Sequence, residues 1–279
     1  VGGAGKTTLA LDLIERLANR GLRPHALTRG HGRVGKRLVR AGPPHAAVDV
    51  KWTGDEAQLL ASVVPCWICA DRAQAARAAE REGADVLVMD DGLQNFGLEK
   101  DCSLLVVDGD AGFGNGLVLP AGPMREKPER ALARCRAMVL IGEDQNGIVS
   151  RYRGRRPILR ASLKQGPEVE QLRGRNVVAF AGIGRPAKFF DSLANSGISP
   201  IRRVSFPDHH RYDATDLARL SAIRDRLGAD AIFATTPKDA VRLPSAFRSQ
   251  IVTVSVRLEW ADDRIDQLID AVLSEVGTL

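Results

Sequence analysis

The sequence is short of three things, and each shortage closes off a class of function. Aromatic residues make up 5% of its 279 positions, too few to interleave with basic side chains as the stacking platforms that bind single-stranded nucleic acid. Its longest apolar runs, such as Leu104-Leu105-Val106-Val107, are strand-sized and far below the roughly 18 residues of a spanning helix. The residues shown therefore do not cross a bilayer as a helix and are expected to be soluble, and no secretory signal is visible among them. Cysteine is scarce as well, at positions 66, 69, 102 and 135. Cys66 and Cys69 form one C-x-x-C, but no second close pair completes a zinc site. They sit in the apolar stretch SVVPCWICAD, where strand geometry turns residues three apart to opposite faces, so they read as small buried thiols of a reducing compartment.

What is present is a globular composition, 44% hydrophobic and 27% charged, with a length suited to one large or two ordinary domains. The formal charge of +6, from 40 Lys+Arg against 34 Asp+Glu, suits polyanionic partners such as nucleotides or anionic lipid without choosing among them. No repeat at solenoid periods is visible.

The first ten residues, VGGAGKTTLA, read as a phosphate-binding loop. Gly2, Gly3 and Gly5 let the backbone curl so that N–H groups face phosphate oxygens; Lys6 adds a point charge on the β/γ-phosphates, and Thr7 offers a hydroxyl to Mg²⁺. With Ala4 and Thr8 these form the expected nucleotide contact. A helix follows, with Leu9, Leu13 and Leu17 on one face and Gly21 placed to stop it. The full G-x-x-x-x-G-K-[ST] pattern would begin one residue before Val1, so the native chain is expected to extend upstream.

Downstream, RPHALTRG reads as a strand, AAVDVKW leads to a turn at Thr53-Gly54, and the residues from Asp55 read as a helix. CWICA, a helix over Arg72–Glu82, then ADVLVMDDG, CSLLVVDGD and AMVLIGED continue the alternation. Short near-continuous apolar strands between helices predict an α/β fold with a mostly parallel sheet, helices on both faces. The arginine-rich stretch after residue 150 predicts a linker over 151–175. A second, smaller α/β domain is expected over 176–279, beyond a nucleotide-binding domain at 1–150.

VLVMDDG delivers Asp90 and Asp91 to the carboxyl end of a strand, where ligands bind in open α/β sheets and where a P-loop protein holds Mg²⁺ beside its loop threonine. In the Gly- and Pro-rich stretch GFGNGLVLPAGPMREKP, Arg125 and Glu126 are candidates for phosphate and metal-water contacts. Arg29 and Arg33 of TRGHGR can meet an anionic group. Asp55 stands at a predicted helix start, which by spacing alone favours a capping role over a base that orients a hydroxyl. His209, in FPDHHRYD, reads as a surface turn residue unless a carboxylate partner makes it part of a base.

Taken together, GGAGKTT, TRGHGR, GDE, DDGLQN, FGNGLVLPAGPMRE, AGIGRP with FF, FPDHH and TTPKDAVRL occur in an order that resembles the tetraacyldisaccharide 4′-kinase family of lipid A synthesis, over residues 1 to about 245. The resemblance implies a P-loop kinase using ATP and Mg²⁺. Its substrate would be tetraacyldisaccharide 1-phosphate, phosphorylated on the 4′-hydroxyl at the cytoplasmic face of a bacterial inner membrane, with no protein partner and no nucleic acid. It assigns the base to Asp55, reversing the capping preference, with support from His209, and gives Mg²⁺ to Asp90, Asp91 and Glu126. Gln94 and Asn95 of DDGLQN join Arg29, Arg33 and Arg125 as expected substrate contacts. This chain departs from the commoner pattern at Ala4, Thr8, His31, Leu93 and Asn95; an asparagine at position 95 still hydrogen-bonds but carries no cation. A rival reading from the loop alone is a nucleotide switch of the metallochaperone or partitioning type, hydrolysing nucleotide without phosphorylating a small molecule.

Overall fold

The computed structural model describes residues 4–44, 49–228 and 230–277. Helix α1 (Lys6–Ala18) buries Leu9, Ala10, Ile14 and Leu17, the stripe that 3.6-residue periodicity presents to a core. The chain continues through β1 (Pro24–Thr28), β2 (Val39–Ala41), α2 (Val50–Thr53), α3 (Asp55–Ala61), β3 (Cys66–Ile68), α4 (Arg72–Arg81) and β4 (Val86–Met89). These strands form one sheet of order β2-β3-β1-β4, with β1 parallel to β3 and β4 and with β2 antiparallel on the edge. All five residues of β1 are buried, the polar His25 and Thr28 included, as in a strand covered on both faces. Cys66 and Cys69 are buried free thiols. The end of AAVDVKW runs into a helical turn, Val50–Thr53, capped by the Asp49 side chain.

A second sheet begins with β5 (Leu104–Asp108), α5 (Pro128–Ala133), β6 (Ala137–Ile141), α6 (Ile148–Tyr152) and β7 (Ile158–Gln165). The third is built from β8 (Asn176–Ala181), α7 (Pro186–Asn195), β9 (Arg202–Ser205), α8 (Ala214–Leu227), β10 (Ala231–Thr235), the short α9 (Pro237–Ala240) and α10 (Ser245–Arg248), and β11 (Ile251–Thr253). Its order is β11-β10-β8-β9, all parallel. The chain then returns: β12 (Val256–Trp260) pairs antiparallel with β7 in the second sheet, order β12-β7-β6-β5, and α11 (Arg264–Glu275) closes the chain.

Two expectations about domain limits change accordingly. The stretch 151–175, read as a linker, carries β7, which is parallel to β6. Its inward residues Leu159 and Ala161 are buried while Arg160, Ser162 and Lys164 face out, so charge on one face hid the strand. The run IVTVSVRLEW divides between two sheets, and residues from 256 onward belong with the nucleotide-binding half. Leu258, Ile265, Ile269 and Leu273 share one core with Leu9 and Ile14 of α1, while Arg20 of α1 meets Asp270 at 2.7 Å and Asp266 at 3.0 Å. An apolar run shows no break where it changes sheets, because both halves satisfy the same hydrophobic demand.

Among the described residues β4 and β5 each end a sheet, and both line a mostly apolar groove of about 820 Å³ that reaches from α11 to Lys6 and Asp91. In the third sheet, Phe180 is fully buried and meets Phe206, Tyr212 and Phe233 edge-on at ring separations of 5.7–6.5 Å. Phe180→Ala is expected to cost about 3–5 kcal/mol through the cavity it leaves, read as a lowered urea midpoint with an unchanged slope.

Candidate active site

The phosphate end of the site is built at the start of α1. Gly5 takes φ 85° and ψ 13° just ahead of the helix, a left-handed conformation that costs a residue with a side chain but not glycine. The first N–H groups of α1 are left free to face an anion. Lys6, the first helical residue, donates from Nζ to Asp91 Oδ1 at 2.7 Å, and Thr7 donates from Oγ1 to Asp90 Oδ2 at 2.9 Å.

Both aspartates leave the carboxyl end of β4, and the backbone there separates them. Asp91 sits at φ 54°, a strained conformation of the kind that clusters at functional sites; Asp90 is buried while Asp91 keeps 38% of its side chain exposed. Burial, with Glu56 nearby, pushes the Asp90 carboxyl up to about 6 against the pull of Thr7 and Lys6. Burial also acts to raise Asp91, but its hydrogen bond and charge pairing with Lys6, and then Arg125, hold it below the ordinary carboxylate range.

A hydroxyl and a buried carboxylate in contact offer the oxygen donors that Mg²⁺ prefers. Mg²⁺ is commonly held by one or two carboxylates together with substrate phosphates, so it does not require the three-residue acidic or histidine cluster that is absent among the described residues. The donor set therefore fits. In the metal-free protein, Asp90 binds its proton more tightly folded than unfolded. Its contribution is present below the unfolded value near 4 and is lost as pH rises through about 6. Asp90→Asn is accordingly expected to stabilise the metal-free protein at pH 8 by about 2–3 kcal/mol while abolishing stabilisation by Mg²⁺ with nucleotide. A thermal-melt series with and without the metal checks both; an unchanged metal response would remove Asp90 from the site.

The second station lies at the start of α3. Gly54, at φ 83° and ψ 159°, is the residue before the helix and no side chain caps it, so the capping role that spacing favoured for Asp55 is not what the fold uses. Asp55 is the first helical residue, with a side chain 10% exposed. Its Oδ2 meets His209 Nδ1 at 2.8 Å and accepts a hydrogen bond from Arg242 Nη2. His209 comes from the loop after β9 and takes φ 57°, with half of its side chain exposed. Burial works to raise the Asp55 carboxyl, but the Arg242 guanidinium and then His209 outweigh it, so the group is held below its ordinary value. His31 of the TRGHGR loop lies with its ring 6.0 Å from that of His209.

The other expected residues are placed unevenly. Gly2 and Gly3 lie outside the described residues. Ala4 leads into Gly5, and Thr8 is half-buried in the first turn of α1. Arg125 donates to Asp91 at 3.1 Å and to Gln94 at 3.3 Å, so both join the Lys6–Asp91 pair. Glu126 is engaged by Arg134 at 2.6 Å and by Gln94 at 3.0 Å, which links it to Asp91 through Gln94 and Arg125 rather than to the Thr7–Asp90 pair. Asn95 Oδ1 accepts from the Gly97 amide at 3.2 Å, bracing its own loop. Neither Arg29 nor Arg33 makes a side-chain hydrogen bond or ion pair among the described residues.

Three contacts near the site were not assigned from sequence. Arg242 is one; Lys238, which meets Glu56 at 2.9 Å, is another; the third is the grip of Arg185 and Lys188 on Asp108, at 2.6 and 3.1 Å. All three cross between the third sheet's unit and the rest. Arg185 belongs to AGIGRP and Lys238 and Arg242 to TTPKDAVRL, while Lys188 lies just beyond AGIGRP; nothing local says which carboxylate each cation reaches.

A family model described as Tetraacyldisaccharide-1-P 4′-kinase matches residues 1–274. The protein named tetraacyldisaccharide 4′-kinase of Gluconobacter oxydans is 48% identical over 274 residues, covering 98% of this chain and 83% of that protein. Those of Gluconacetobacter diazotrophicus and Rhodospirillum centenum are each 50% identical, covering 99% and 98% of this chain and 84% and 80% of theirs. Among solved structures, an "apo" form of LpxK from Aquifex aeolicus in complex with ATP superposes with a TM-score of 0.76 at 25% identity, covering 98% of this chain and 85% of that one.

Proposed function

Since the chain belongs to the tetraacyldisaccharide-1-P 4′-kinase family, we propose that its two stations divide one reaction between them. That reaction is the ATP-dependent transfer of a γ-phosphoryl group to the 4′-hydroxyl of tetraacyldisaccharide 1-phosphate, giving lipid IVA in lipid A synthesis. The enzyme is a phosphotransferase with an alcohol acceptor, and the family membership speaks against the nucleotide-switch reading.

The observation that most supports the division of labour is the 2.8 Å contact between Asp55 and His209 across 154 residues of chain, which gives a buried carboxylate an orienting partner. Lys6 leaves Asp91 for the β/γ-phosphates, and the amides at the start of α1 point at the same oxygens. Thr7 and Asp90 would hold Mg²⁺, with Asp91 beside them, and the chemistry the metal would supply there is neutralisation of charge on the phosphates. Asp55 accepts the proton of the 4′-hydroxyl as the new O–P bond forms and the bond to the departing ADP oxygen breaks. Transfer of this kind depends on positioning more than on base strength, so a carboxylate held below its ordinary range is adequate provided it is aimed. Arg29, Arg33 and Arg125 supply cations for the substrate's 1-phosphate and the nucleotide.

The substrate is amphiphilic, so we place the reaction at the cytoplasmic surface of the inner membrane, with the described residues acting peripherally; no helix among them is long and apolar enough to cross a membrane. The test is incubation with Mg²⁺, γ-labelled ATP and tetraacyldisaccharide 1-phosphate in detergent micelles. Label on the lipid is expected; ATP hydrolysis without labelled lipid would sink the assignment.

A further inference from the structure

Arg242 stands behind the site, where it is hidden from substrate: its side chain is only 3% exposed. A buried guanidinium is unusual enough to need a reason, because an uncompensated charge away from water is heavily penalised. Here every terminal nitrogen is committed. Nη1 donates to the Gly182 carbonyl at 2.8 Å and lies 3.4 Å from Asp239 Oδ1; Nη2 donates to Asp55 Oδ2. The fork thus has one prong in its own unit and one prong on a residue 187 positions earlier.

The prong on the home side is fixed by an anchor that has no freedom of its own. Asp239 is fully buried and accepts from the Tyr212 hydroxyl at 2.8 Å, the Gly182 amide at 2.9 Å and the Thr236 hydroxyl at 2.7 Å. Thr236 caps α9, the turn that carries Asp239, and Tyr212 packs against Phe180 and Phe206. Arg242 follows one turn after Asp239, so its guanidinium is aimed by a network rooted in the third sheet's core.

We propose that Arg242 is a positioning residue for the phosphoryl transfer, orienting Asp55 from the far side of the domain junction, so that the base is aimed only when the two units are docked. This deepens the reading of Asp55 given above and rests on it. The geometry separates the role from that of an ordinary staple. Lys238 and Glu56 already pair across the same junction at 2.9 Å, with about a third of each side chain exposed, and Arg185 and Lys188 hold Asp108 at the other end. A further staple has no need to be buried or to end on the carboxylate that His209 meets at 2.8 Å. An arginine is suited to the task because its charge does not titrate and its fork fixes direction as well as distance.

The groups facing Asp55 are few. His209 and Arg242 contact it; His31 and Asp208 lie beside His209, Glu56 follows on α3 with Lys238 against it, and Asp239 sits behind Arg242. Of these only Arg242 is both in contact and permanently charged. Removing it leaves burial opposed by His209 alone, and the Asp55 carboxyl must then move upward.

The experiment compares wild type with Arg242→Gln, Arg242→Lys and Asp55→Asn, measuring lipid phosphorylation against pH and the KM for ATP, with melting curves to show the folded fraction. Arg242→Gln is expected to lose about 10²-fold in kcat, the scale of a misplaced catalytic group. Its acidic limb should move to higher pH by about 1–3 units, the range an adjacent cation is worth to an aspartate. Arg242→Lys, which keeps charge but not the fork, should retain the wild-type limb with an intermediate kcat, and KM for ATP should be unchanged in both. If Arg242→Gln does not fold, Arg242→Lys decides, since wild-type kcat there would overturn the role assigned to the fork. Loss by an equal factor at every pH, with Asp55→Asn inactive, would overturn the proposal and leave the base standing. Near wild-type turnover in Asp55→Asn would overturn both.

Discussion

Asp55→Asn is expected to lower kcat by about 10²–10⁴-fold, the range that positioned general bases contribute, while ATP binds as before. The substitution is nearly isosteric and keeps an oxygen to accept from His209 and Arg242, so the loss isolates the ability to take a proton. Nucleotide affinity should survive because Gly5, Lys6, Thr7 and Asp90 stand on α1 and β4, outside the contacts of Asp55. Stability should respond too. A carboxylate held below its unfolded value contributes stability that is present above that value and is lost as pH falls through the folded one. The variant should therefore melt lower than wild type at neutral pH and converge with it in acid. Wild-type turnover with unchanged pH dependence would remove Asp55 from the mechanism.

Lys6→Ala should remove phosphoryl transfer by about 10²–10³-fold, the usual consequence of deleting one preorganised charge from a transition state. Its structural cost should be small. The Lys6–Asp91 pair is partly exposed on both sides, 33% and 38%, and such pairs contribute about 0–1 kcal/mol; Arg125 remains on Asp91 at 3.1 Å. Large kinetic loss with an almost unmoved melt is thus the signature expected, read as label on the lipid per unit of folded protein. Equal labelling by wild type and variant would mean that Lys6 does not reach the phosphates.

Much of this was legible locally. The α1 stripe, the four apolar residues that carry Asp90 and Asp91 to a strand end, and the alternation of strands with helices are all periodic signals, because burial of one face imposes a period on the residues that form it. The phosphate loop was legible for a related reason: the positive φ at Gly5 is a demand of backbone geometry one residue from Lys6. Asp55 was not. Its start-of-helix position suggested a cap, and only the resemblance of a scattered motif set gave it a chemical role.

The sequence by itself thus determined the elements, the class of fold and the phosphate end of the site, since each depends on neighbours within a turn or a strand. Tertiary structure decided the rest. Which sheet β12 joins, why 158–165 is a strand rather than a linker, and which cations find Asp55 and Asp108 are choices among partners of equal local merit. A hydrophobic run is satisfied by any core, and a charge by any opposite charge. Only packing of the third unit against the first brings Arg242 and His209 to one carboxylate oxygen.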